Sequence, residues 1–171
     1  MALTAGGTLY LVRHAIAHER GEEWPDDTKR PLTHEGAAKM RRAVEGLREL
    51  DLKIDVVYTS PLVRAIETAE LLVSGLKPTP ELRPLPALVP GGAANKVAEA
   101  VTFERDARTF ALVGHEPSLG ELAAWFIGAR APLPFRKGGV CRIDFSDQPP
   151  NRNGQLIWFV TPKMLRALSH R

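Results

Sequence analysis

The sequence predicts a three-layer α/β/α fold, with a mostly parallel central sheet and a late antiparallel hairpin at its edge. Three observations point there. First, two short apolar runs, Leu9-Tyr10-Leu11-Val12 and Phe110-Ala111-Leu112-Val113, are continuous rather than alternating. Runs of that kind suit strands covered on both faces, as parallel strands are. Second, the segments between strand-like runs carry helical periodicity, the pattern of strand–helix–strand units. Third, two late strand-like runs, Val140-Cys141-Arg142-Ile143-Asp144-Phe145 and Gln155 to Val160, are separated by the turn-forming Asn151-Arg152-Asn153-Gly154. Adjacent strands joined by such a turn pair as a hairpin.

The chain has 171 residues, enough for a substantial core, and shows neither linker nor internal repeat. A single domain over residues 1–171 is expected. Hydrophobic residues make up 44% and charged residues 25%, as in ordinary globular proteins. Net charge is +3 without a basic run. That fits an anionic substrate and argues against a nucleic-acid partner. The one cysteine, Cys141, rules out an internal disulfide and a cysteine metal cluster. No segment approaches the roughly 18 apolar residues of a membrane helix. The N-terminus lacks the pattern of a signal peptide. No membrane association and a cytoplasmic location are therefore expected.

The elements follow in order. Leu9 to Val12 form the first strand and run into Arg13 and His14. Parallel strands end at the sheet edge where ligands bind, so this pair is placed at a site mouth. The polar stretch from Ala15 to Asp27 has no period and reads as a loop over the strand ends. A helix begins after Thr33, a good N-cap, with Glu35 in its first turn. Ala37, Met40, Val44 and Leu47 supply its apolar face. His34 is a solvated residue without a role.

Ile54 to Thr59 read as a second strand. Ser60-Pro61 then supply an N-cap and a first-turn proline. The helix continues to Gly75 and carries Arg64 near its start. A bound phosphate would suit an arginine at a helix N-terminus; the alternative is a surface pair with Glu67. Thr79 to Pro84 make at best a short edge strand, given their prolines. Leu85 to Gly92 are loop, and Ala93 to Arg108 read as a moderately amphipathic helix. Thr109 to Gly114 repeat the opening pattern, a buried strand running into His115. Glu116-Pro117-Ser118 open another helix, and a short one follows Pro162.

Three strand-to-helix junctions thus deliver Arg13 with His14, Arg64, and His115. Parallel strands bring these groups to one edge. Arginines clamp phosphate through paired, charged hydrogen bonds. A neutral histidine can attack phosphorus and hold it covalently. The spacing alone does not choose between the two histidines. A metal site is a weaker alternative, since neither histidine has carboxylate or cysteine ligands nearby in sequence.

These stretches resemble a known family. Leu11-Val12-Arg13-His14-Ala15, Ser60-Pro61-Leu62-Val63-Arg64-Ala65-Ile66-Glu67-Thr68-Ala69 and Val113-Gly114-His115-Glu116-Pro117 are similar to the three motif blocks of the histidine phosphatase superfamily. They come in the family's order and at its spacing. Arg30-Pro31-Leu32-Thr33-His34-Glu35-Gly36 also fits. The small size, the alanine after His14 and the Gly-His-x-Pro block are most like SixA-type phosphohistidine phosphatases. The resemblance implies that His14 is the phosphorylated nucleophile and that Arg13, Arg64 and His115 hold the phosphate. It implies no cofactor and no metal. It makes the partner a phosphohistidine-bearing protein or a small phosphorylated substrate, with inorganic phosphate or other oxyanions entering the site. The alternatives are a phosphatase for a small phosphomonoester and a non-catalytic phosphate-binding module. One departure is visible. Many members carry an acidic proton donor before the third block, but residues 85–92 hold no carboxylate. Glu81, Glu116, Glu19 and His18 are substitutes by position only.

Overall fold

The computed structural model describes residues 6–101, 107–146 and 152–169. The chain runs β1 (Gly7–Arg13), α1 (His34–Arg48), β2 (Val56–Thr59), α2 (Val63–Gly75), β3 (Glu81–Pro84), α3 (Ala94–Ala100), β4 (Thr109–Gly114), α4 (Ser118–Ile127), β5 (Val140–Phe145), β6 (Gln155–Val160) and α5 (Pro162–Leu168). Single 3-10 turns lie at Asp27–Lys29 and Pro86–Leu88. The six strands form one sheet in the order β3-β2-β4-β1-β5-β6. β4 pairs in parallel with both β1 and β2, and β2 with β3. β5 runs antiparallel to β1, and β6 antiparallel to β5. This is the expected α/β/α architecture with its late edge hairpin.

The uninterrupted apolar run of β1 follows from burial on both faces. Tyr10 and Val12 join a core with α1, α2 and α5 residues such as Met40, Leu72 and Leu165. Leu9 and Leu11 join the opposite core with Val97, Leu122 and Phe126 from α3 and α4. Successive strand residues point to opposite faces, so a strand under two helical layers has no polar side to show. Each such leucine contributes about 1.5–3 kcal/mol by leaving water. Thr33 caps α1, its hydroxyl accepting from the Gly36 N–H at 2.9 Å. Gly46 lets α1 lie against α5: a Cβ there would stand 1.9 Å from the Leu165 carbonyl oxygen. Cys141 faces inward on β5, and burial pushes its thiol up to about 12.

The structure departs from the expected helices in two places. α2 begins at Val63, not after Ser60, and Leu62 takes the cap position without a side-chain bond. Ser60 Oγ accepts from the Leu62 N–H at 3.4 Å and also makes the tertiary contact described below. α3 ends at Ala100, and Val101, Ala107 and Arg108 are not helical. The remainder of that expected helix, residues 102–106, lies outside the described residues, as do residues 147–151 of the hairpin connection.

Candidate active site

Strand pairing dictates where the site lies. Arg13 pairs with Gly114, and Thr59 with Val113. The three central strands therefore end together, and His14, Ser60 and His115 emerge side by side. The His14 N–H donates to the Gly114 carbonyl and the Ser60 N–H to the Val113 carbonyl, each at 3.0 Å. The two imidazole rings stand 5.2 Å apart, tilted by 51°. Arg64 enters from the second residue of α2. All four residues singled out in the sequence are thus brought to one sheet edge.

His14 is 6% exposed. Its Nδ1 lies 2.7 Å from the Ala15 carbonyl oxygen. A carbonyl only accepts, so Nδ1 carries the proton and Nε2 keeps its lone pair. Burial lowers the His14 pKa to about 3 against the pull of that carbonyl, helped by the charges of His115, Arg64 and Arg13. His115 is 3% exposed, and its Nε2 meets Ser60 Oγ at 2.7 Å. Burial, followed by the charge of Arg64, lowers its pKa to about 3 as well. Both rings are neutral at physiological pH.

The arginines are held from behind. Arg13 Nη1 donates to the Phe135 carbonyl at 2.7 Å. Arg64, 2% exposed, donates through Nη1 to the Asp27 carbonyl at 2.8 Å and through Nη2 to Asp27 Oδ2 at 3.1 Å. Its pairing partner is therefore Asp27, not the alternative Glu67, whose Oε2 accepts from the Leu32 N–H instead. Among the described residues, four buried side-chain nitrogens lack a partner: Arg13 Nε, Arg64 Nε, His115 Nδ1 and Trp24 Nε1. Three of the four sit on the predicted residues. An unpaired buried polar group costs about 1–3 kcal/mol, so the two guanidinium Nε–H groups at this sheet edge favour an anionic acceptor. A tetrahedral oxyanion, with several acceptor oxygens, meets that need.

The substitute acids fare differently. Glu81 pairs with Val56, at the start of β2, so it lies at the far end of the sheet, where its carboxylate accepts from Arg83. Glu116 Oε1 accepts from the Gly120 N–H in the first turn of α4. Burial raises its pKa above the usual carboxylate range, against that bond and the charge of Arg13. Glu19 is exposed. His18 packs against Trp24, ring centroids 5.7 Å apart. Among the described residues no three histidine, cysteine or acidic side chains gather as a metal set.

Sequence reasoning missed Asp27, Ser60 as partner of His115, and the Phe135 carbonyl. Asp27 lies 37 positions before Arg64, so no local pattern links them. The one available signal was its i,i+3 spacing to Arg30, a pair that forms at 2.9 Å.

The chain is similar to known proteins in sequence and in fold. The model of the histidine phosphatase superfamily, branch 1, matches residues 9–88, a span that includes Arg13, His14 and Arg64. An uncharacterised protein of Picosynechococcus sp. is 38% identical over 167 residues, covering 92% of this chain and 98% of its own. The phosphohistidine phosphatase SixA of Escherichia coli strain K12 is 26% identical over 166 residues, covering 94% and 99%. A solved structure of the protein histidine phosphatase SixA complexed with tungstate superposes with a TM-score of 0.80 at 25% identity, over 92% of this chain and 99% of that one.

Proposed function

The chain belongs to the histidine phosphatase superfamily, branch 1, and within it we propose that the protein removes phosphate from phosphohistidine on a partner protein, through a covalent intermediate at His14. Family membership makes it a phosphatase, a hydrolase. The observation that carries the finer reading is the convergence of one neutral imidazole, its Nε2 lone pair free, with three buried unpaired nitrogens on Arg13, Arg64 and His115.

In this reading His14 Nε2 attacks phosphorus while the bond from phosphorus to the substrate's ring nitrogen breaks. The substrate ring carries a proton near neutral pH and leaves as neutral imidazole. The new phosphohistidine keeps its Nδ1–H on the Ala15 carbonyl, which stabilises the positive ring. Arg13 and Arg64 neutralise charge on the phosphoryl oxygens, and the neutral His115 ring adds a hydrogen bond. Water then attacks phosphorus as the bond from phosphorus to His14 Nε2 breaks; the phosphate leaves with both protons of the water, and His14 returns to its neutral Nδ1–H form. The name of the E. coli relative and the tungstate in the SixA structure support both substrate class and oxyanion site. A partner in the cytoplasm is part of the same proposal. Among the described residues no helix is long and apolar enough to cross a membrane.

Rapid quench with a labelled phosphohistidine protein tests the reading. It should trap an acid-labile, alkali-stable phosphoenzyme that disappears in His14→Ala. An intermediate that survives His14→Ala but vanishes in His115→Ala reverses the histidines.

A further inference from the structure

We infer that Asp27 is a positioning residue for the phosphate site, holding Arg64 by its two Nη nitrogens so that Nε is left to the ligand. The inference rests on the reading of Arg64 as a phosphate donor. A free arginine side chain explores many rotamers, and fixing one costs about 2 kcal/mol of entropy. Here the cost is met before any substrate arrives. The Asp27 backbone oxygen takes Nη1 and its Oδ2 takes Nη2. Nε, on the other edge of the fork, is buried and unpartnered.

The two carboxylate oxygens divide the work. Oδ1 receives Arg30 Nε at 2.9 Å and Arg20 Nε at 3.2 Å, and Arg30 also bonds the His18 carbonyl. That half ties down the loop from His18 to Arg30. Oδ2 serves Arg64 alone among the described contacts. Asp27 therefore couples the loop over the strand ends to the orientation of one donor. It is not suited to deliver a proton. Burial pushes its carboxyl up, but the Arg30 hydrogen bond and the charges of Arg64, Arg30 and Arg20 outweigh this and hold it below the usual carboxylate range. Three arginines keep it ionised.

A double-mutant cycle separates positioning from mere structural support. Asp27→Ala and Arg64→Ala are made singly and together, and each is measured for kcat, KM, tungstate Kd and melting temperature. Misplacing a reacting or stabilising group by about 1 Å is worth up to roughly 10²-fold. Asp27→Ala should accordingly lower kcat and weaken tungstate by about tenfold or more. The same change in the Arg64→Ala background should alter neither by more than about twofold. Asp27→Asn, which keeps an oxygen for Nη2, should recover part of the loss. Where Asp27→Ala does not fold, Asp27→Asn carries the cycle. Equal losses in both backgrounds, or tungstate affinity unchanged in Asp27→Ala while Arg64→Ala loses it, overturn the inference and leave the site reading standing. Wild-type turnover and tungstate affinity in Arg64→Ala would instead sink the site reading, and the role of Asp27 with it.

Discussion

Acidification should destabilise this protein through its two buried histidines, His14 and His115. His14 and His115 both have pKa values lowered to about 3 in the fold. In the unfolded chain each returns to roughly 6.5. The unfolded state therefore binds more protons between those limits, and stability falls as pH falls through that window. At about pH 5 each ring stands some 1.5 units below its unfolded value, which is about 2 kcal/mol apiece at 1.36 kcal/mol per unit. The pair contributes a loss of about 4 kcal/mol relative to about pH 8, a large share of a typical 5–15 kcal/mol. Glu116 works the other way, since burial raises its carboxyl pKa. Urea unfolding at about pH 8 and pH 5, on the native protein and on a His14→Gln, His115→Gln double variant, isolates the histidine contribution by difference. The native protein should lose about 4 kcal/mol more than the variant. Equal losses in the two proteins would mean that the rings are not held neutral, and the account of the nucleophile would go with them.

Three further outcomes are expected. Arg13→Ala and Arg64→Ala should each cut kcat by roughly 10²–10³ while circular dichroism stays native, as for loss of one preorganised charge donor; turnover near the native value in either would remove that arginine from the site. Phosphohistidine and activated aryl phosphates should be hydrolysed well ahead of serine or glycerol phosphate, because a placed acid would be worth about 10²–10⁴ on the poor leaving groups. Equal rates on alkyl and aryl substrates, with Glu116→Gln slowing only the alkyl ones, would make Glu116 that acid. Finally, Gly46→Ala should destabilise the fold by about 1–3 kcal/mol in urea through overpacking, since the new methyl would strike the Leu165 carbonyl; an unchanged midpoint would show that α5 is free to shift.

The strands, and the meeting of the four candidate residues at one sheet edge, were legible because each rests on local pattern. Leu9 to Val12 and Phe110 to Val113 advertise burial on both faces, and the charged or imidazole residue that ends each run marks the sheet edge. The rest depends on contacts between distant residues. Ser60 has the chemistry of an N-cap, yet its hydroxyl is engaged by His115, 55 positions away, and α2 starts later. Arg64 has a plausible local partner in Glu67, but Asp27 and the buried α2 start win. The apolar spacing of Ala94 to Ala100 continued past the helix end, where Val101 keeps the last helical bond to Val97 but takes an extended backbone. The spacing left the choice between the two histidines open, and the Ala15 carbonyl beside His14 Nδ1 is a backbone atom no residue pattern displays.

The inward placement of Cys141 has a practical consequence. It is the chain's single cysteine, fully buried on β5, and its thiol is pushed up to about 12. Maleimides react with an accessible thiolate, which this side chain does not offer. Toward such reagents the native surface is blank. A cysteine introduced at exposed Glu22, in the loop that carries Asp27, would be the sole point of attachment. A single fluorophore there would report on that loop as phosphate enters and leaves, with no need to remove a native thiol first.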